Sequence, residues 1–310
     1  MKTLKNLSTV FFLLLFVIAS GCDTLNNEEP EVATVTEADL EAASSIMAES
    51  LSDQNEGMMA NLNDMTANVG LQSLSYDRRR FSRNSDLRPC RGVNREYERE
   101  YDDSTGVHSI DYSRTHEGPN CEKTVEVSLN YTFTDGDGSF IARPFVSDAA
   151  ISEIAFEGTR SGSSMYTTSR GSERSRSFEQ KGEWNLSGLL SDVATLDGTQ
   201  SSTGEYSFVR PDTSGNEVSG SGTYSMELNT VDVTITQSAT EEDLENEISG
   251  QLQYTIMMSR TVNGETEEKE IEGTVELEGN GRALLRFNGL RQLYRIRLAD
   301  GDVEVTDANG

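Results

Sequence analysis

Histidine is nearly missing from this chain: His108 and His116 are the only two in 310 residues. Neither has a second histidine four residues away, so no helical zinc motif can be built from them. Nor is there a Gly-x-Ser-x-Gly elbow, a Walker loop, a dinucleotide fingerprint or a paired zinc cysteine motif. Positive charge is also scarce, with 26 Lys and Arg against 53 Asp and Glu and a formal net charge of −27. That balance argues against non-specific nucleic-acid binding and against broad adsorption to anionic lipid. Proline is limited to five residues, against 26 glycines. The longest apolar run, Val10 to Ile18, is too short to span a bilayer, which needs about 20 residues. Carboxylates are so abundant that a catalytic pair cannot be picked out by spacing.

The short apolar run has its own meaning. Lys2 and Lys5 precede it and Ala19-Ser20-Gly21-Cys22 follows it. A basic start, an apolar centre and small residues at the end form an export signal. The ending resembles the bacterial lipobox, with Ala19 where leucine is commoner. The resemblance implies cleavage before Cys22, whose sulfur then carries diacylglycerol. Two or three acyl chains at about 0.8 kcal/mol per buried CH₂ make a durable anchor. Setting Cys22 aside leaves Cys90 and Cys121, and an exported chain enters an oxidising compartment, so a Cys90–Cys121 disulfide is expected.

Four segments follow: a signal peptide over 1–21, an acidic tether over 22–35, an amphipathic helical segment over 36–75 and an antiparallel β domain over 76–310. Thr36-Glu37-Ala38-Asp39 has the form of a capping box. Leu40, Ala43, Met47, Leu51, Met58, Leu62, Met65 and Val69 recur near helical spacing, predicting a helix from Glu37 to about Asn68, with a break near Gly57. Its methionine-rich stripe reads as core-facing.

Beyond Tyr97 the period becomes two. Val125, Val127, Leu129, Tyr131 and Phe133 alternate with polar residues, and Asp135-Gly136-Asp137-Gly138 is a turn. The fold class is mainly β: an antiparallel meander, as a curved sheet, barrel-like or sandwich, with an N-terminal amphipathic helix. Three turn signals fix register. Asn263-Gly264 sets Ile256 opposite Ile271, Tyr254 opposite Gly273, Leu252 opposite Val275 and Arg260 opposite Glu267. Gly279 to Gly281 sets Glu278 opposite Arg282, Val275 opposite Leu285 and Gly273 opposite Phe287. Asp300-Gly301 sets Leu298 opposite Val303 and Arg297 opposite Glu304. Gly273 is thereby covered by Tyr254 and Phe287. A weak repeat, an apolar residue two before glycine, recurs at Phe156–Gly158, Val218–Gly220, Ile248–Gly250 and Ile271–Gly273.

Residues 271–305, from Ile-Glu-Gly-Thr-Val-Glu-Leu-Glu-Gly-Asn-Gly-Arg to Ala-Asp-Gly-Asp-Val-Glu-Val, resemble the C-terminal repeat of Gly-rich β-meander lipoproteins of the Bacteroidota. This chain has a longer stretch between Gly289 and Tyr294. The resemblance implies an exported β protein and carries no catalytic residue across.

Arginine forms two clusters: Arg78, Arg79, Arg80, Arg83, Arg88, Arg91, Arg95 and Arg99, then Arg282, Arg286, Arg291, Arg295 and Arg297. The second is the candidate patch for a glycan, a lipid headgroup or a partner protein. The competing reading is internal pairing with acid, such as Arg282 with Glu278. His108 in a hairpin and His116 in a loop read as structural or solvated. The Asp135 and Asp300 turns are too short for calcium, and no metal or cofactor is expected. The expected function is a non-enzymatic binding or structural role for a lipoprotein anchored in the cell envelope, with the outer membrane preferred. The alternative is a carrier of lipid or another apolar ligand, with the helix as lid. A polysaccharide-active enzyme ranks last.

Overall fold

The computed structural model describes residues 35–67, 94–118, 121–144, 150–167, 173–211, 217–236, 244–262 and 265–306. All of them belong to one compact unit. Two helices, α1 (Glu37–Leu51) and α2 (Met58–Ala67), precede twelve strands. These are β1 (Asn94–Asp102), β2 (Val107–Gly118), β3 (Cys121–Thr134), β4 (Glu153–Thr167), β5 (Glu173–Ser187) and β6 (Val193–Pro211). The rest are β7 (Glu217–Thr236), β8 (Ile248–Val262), β9 (Glu265–Glu278), β10 (Arg282–Phe287), β11 (Leu293–Arg297) and β12 (Val303–Thr306). Each strand pairs antiparallel with the next, giving a single meander sheet that does not close on itself.

Alternation along the strands decides which face is buried. In β3, Val125, Val127, Leu129, Tyr131 and Phe133 point inward while Glu126, Ser128 and Asn130 are exposed. The same inward set continues through Ile154 and Phe156, Trp184 and Leu186, Met226 and Leu228, and Leu252, Tyr254 and Ile256. The helices pack on this inner face. Their side chains reach strands from β2, where Tyr112 meets Asp64, to β9, where Lys269 meets Asp39, so the sheet curves around them. Met47, Leu51, Met58, Met59, Leu62 and Met65 are fully buried and fill the concavity, each contributing roughly 1.5–3 kcal/mol by burial. The methionine stripe is therefore core.

Helix α1 starts with the predicted capping box: Asp39 N donates to Thr36 Oγ1 (3.3 Å) and Thr36 N to Asp39 Oδ2 (2.8 Å). The predicted break also occurs. After Leu51 the chain leaves the helix; Asp53 N donates to Leu298 O (2.9 Å) and Gln54 N to Ala299 O (3.1 Å). Glu56 sits at φ +61°, a left-handed conformation costing about 1–2 kcal/mol for a side-chain-bearing residue.

The registers around Asn263-Gly264 and Gly279 to Gly281 are as expected. Ile256 faces Ile271, Tyr254 faces Gly273, Leu252 faces Val275, and Arg260 faces Glu267. Leu285 faces Val275 and Phe287 faces Gly273. Residues 263–264 themselves lie outside the described residues. Tyr254 and Phe287 meet edge to face across Gly273, and Tyr254 Oη donates to Arg286 O (3.0 Å). Phe156 covers Gly158 and Phe208 covers Gly220 in the same way, which explains three of the four repeats. The fourth, Gly250 at φ +129°, lies beside the irregularity between β7 and β8.

The last hairpin differs. Ile296, not Leu298, pairs with Val303, and Arg295, not Arg297, pairs with Glu304. Leu298 and Ala299 are withdrawn from the ladder because their carbonyls accept from the α1–α2 connection and Leu298 N donates to Gly281 O. The two-residue shift keeps the apolar face unchanged. His116 lies in β2 rather than in a loop.

Candidate functional site

The helical segment and the concave face meet through charge as well as methionine. Alternation places Arg114 of β2, Lys123 of β3, Arg160 of β4, Arg176 of β5, Arg260 of β8 and Lys269 of β9 on the inner face. Four carboxylates of the helical segment answer them: Asp39, Glu49, Glu56 and Asp64.

Glu56 is the centre. Its Oε1 accepts from Arg114 Nη1 (3.0 Å) and Lys123 Nζ (3.1 Å), and its Oε2 from Arg160 Nη1 (2.6 Å). The Arg160 side chain is 1% exposed and fully engaged. Its Nε donates to Asn61 Oδ1 (2.6 Å) and its Nη2 to Asp64 Oδ2 (2.7 Å), the oxygen that also accepts from Tyr112 Oη (2.7 Å). Arg176 Nη1 donates to Glu49 (2.6 Å) and its Nη2 to Asn55 O (2.8 Å). Asp39 lies 3.5 Å from Arg260 and 3.9 Å from Lys269.

Burial alone would raise the pKa of Glu56, but Lys123, Arg114 and Arg160 outweigh it and hold the carboxyl well below the usual range. For Lys123 desolvation dominates and its pKa falls. A depressed carboxyl pKa stabilises the fold above the unfolded value, about 4.3, and that stability is lost as pH falls toward the folded value. We therefore expect Glu56→Gln to melt well below wild type at pH 7, with the gap narrowing steadily from pH 5 to pH 2. Thermal melts across that range check it; a gap that stays constant would remove Glu56 from the acid response.

Beside this cluster a groove of about 160 Å³ runs between α1 and strands β5 to β8. Ala42 and Ile46 form one wall, Tyr206, Phe208 and Tyr224 the other, with Arg176 and Arg260 at the edge. Beneath the helices, Gln180 Nε2, Gln200 Oε1 and Trp184 Nε1 are buried with no hydrogen-bond partner among the described residues. On the opposite, solvent face a broader trough of about 620 Å³ is lined by hydroxyls including Ser163, Ser175, Ser207 and Thr223.

The C-terminal arginines are only partly gathered. Arg282, Arg286, Arg295 and Arg297 share the solvent side of β10 and β11, and Arg291 lies in the connection between those strands. Arg286 pairs with Glu276 (3.3 Å), and Arg297 with Asp300 (2.8 Å) and Asp302. Glu278 is met by Arg295 (3.7 Å) and not by Arg282, because Arg295 reaches across from β11. These contacts favour internal pairing over an open patch. Cys121 is buried at the start of β3. Its proposed partner Cys90, the lipidation residue Cys22 and Arg78 to Arg91 lie outside the described residues, as does the side chain of Arg95. His108 Nε2 donates to Ile141 O (3.0 Å) and its ring lies against Tyr101, a structural placement. Asp135 Oδ1 accepts from Asp137 N and Ser139 N, closing its own turn.

Sequence reasoning missed the Glu56 cluster. Its local signals were basic residues in the inward register of apolar ones: Lys123 with Val125 and Val127, Arg160 with Ile154 and Phe156, and Arg176 with Phe178. No family model, no curated protein and no solved structure matches this chain.

Proposed function

We propose that this chain is a lipoprotein of the cell envelope, anchored through acylated Cys22, preferably in the outer membrane, with a non-enzymatic binding or structural role. The observation that supports it best is the sealing of the helical segment, which directly follows the tether, onto the concave face by paired charges. The tether would then lead directly into the compact unit, whose outer sheet face carries exposed polar side chains among the described residues. Labelled palmitate should enter wild type and not Cys22→Ala, with the label on the peptide that begins at residue 22. Wild type without acyl groups would end this reading. Turnover of an envelope polymer by the purified protein would favour an enzyme instead.

A second reading, a carrier of an apolar ligand, is favoured by the groove beside α1. Its volume is close to that of an engineered cavity that takes benzene. A larger ligand therefore requires the helices to move. Solvent extraction and mass spectrometry of the purified protein test it.

A further inference from the structure

We propose that Arg114, Lys123 and Arg160 form an anion-binding cup on the concave face, now occupied by the chain's own Glu56, whose external ligand is the carboxylate or phosphate headgroup of an amphiphile. The proposal rests on the carrier reading. Three adjacent strands each send one cation to a single carboxylate, which uses both of its oxygens to meet them. A phosphate monoester brings three terminal oxygens to the same donors. Arg176, on the next strand, extends the positive row. In a chain of net charge −27, such a concentration of buried cations is a built feature.

Two further observations mark Glu56 as an occupant that can leave. It reaches the cup from a left-handed backbone, φ +61°, so its carboxylate is held there by the cup at a conformational cost. The docked helices also leave two buried donors, Gln180 Nε2, directly opposite Arg160 in the ladder, and Trp184 Nε1 nearby, without an acceptor among the described residues. Buried groups without partners call for an explanation, and a polar headgroup seated here offers hydrogen bonds that the helical segment does not. The surrounding inner face, Val125, Val127 and Phe178, is apolar and suits an acyl chain once α1 and α2 lift.

The test uses the mature chain and two probes. Glu56→Gly empties the cup and relaxes the backbone. Inorganic phosphate, against chloride at matched ionic strength, should raise the melting temperature of this variant saturably, by about 5 °C. Wild type should not respond, and adding Lys123→Met should abolish the rise. In wild type, dodecyl phosphate below its micellar concentration should increase hydrogen exchange in 37–67 but not in β3 to β5, whereas inorganic phosphate should leave exchange unchanged. A Glu56→Gly protein indifferent to phosphate overturns the proposal, as does wild type indifferent to dodecyl phosphate. Neutral lipid recovered from purified protein, with Glu56→Gly indifferent to phosphate, sinks this proposal and leaves the carrier reading standing.

Discussion

Replacing Arg160 by alanine should cost about 3–5 kcal/mol, because it removes a buried cation from two buried carboxylates at once. Glu56 keeps Arg114 and Lys123, while Asp64 loses its ion pair with Arg160 and Asn61 Oδ1 loses its donor. A guanidinium-sized void also opens beneath α2, since Arg160 is among the largest fully buried side chains. In a body of this size each kcal/mol corresponds to roughly 2–4 °C, so the melting temperature should fall by about 10 °C. Arg160→Met should do less harm than alanine if packing is the larger part. Equal losses would put the weight on the charge. Calorimetry and urea titration of both variants decide it. A loss under 1 kcal/mol for alanine would mean that the seam is not a determinant of stability.

Gly273→Val should be nearly as damaging. A Cβ at this position would lie 2.7 Å from Tyr254 Cζ, and closer still to the Arg286 carbonyl. The carbonyl belongs to the neighbouring strand and cannot move without opening the β9–β10 ladder, and Tyr254 Oη is bonded to it. Forcing a branched side chain into that space should cost about 3 kcal/mol, at the upper end for overpacking. Thr274→Val, one position along and on the other face, is the control and should change stability by less than about 0.5 kcal/mol. Similar losses in both would mean that the effect comes from the strand and not from the covered glycine.

Some features were legible because they are local. The period of two in β3, the Gly-Asn-Gly turn and the Thr36–Asp39 box each use neighbours a few residues apart and each appears in the fold, as does the β8–β9 register expected from Asn263-Gly264. The Asp300-Gly301 turn misled because the carbonyls of Leu298 and Ala299 just before it accept from residues 53 and 54, far away in sequence. The Glu56 cluster was hidden for the same reason. Its members stand 58, 67 and 104 residues from Glu56 along the chain. Alternation marks each base as inward-facing, but which carboxylate answers it shows only once the strands and helices are laid together.

By itself the sequence determined the expectation of an exported, lipid-anchored chain, the strand-rich body, and the register of two C-terminal hairpins, because export signals, pleat and turn geometry are written in consecutive residues. Only the tertiary structure decided that the sheet stays open, that the methionine helices fill its hollow, and that Glu56 sits among three cations. Those outcomes depend on which inward side chains meet across the curve, and pairing between distant strands sets that.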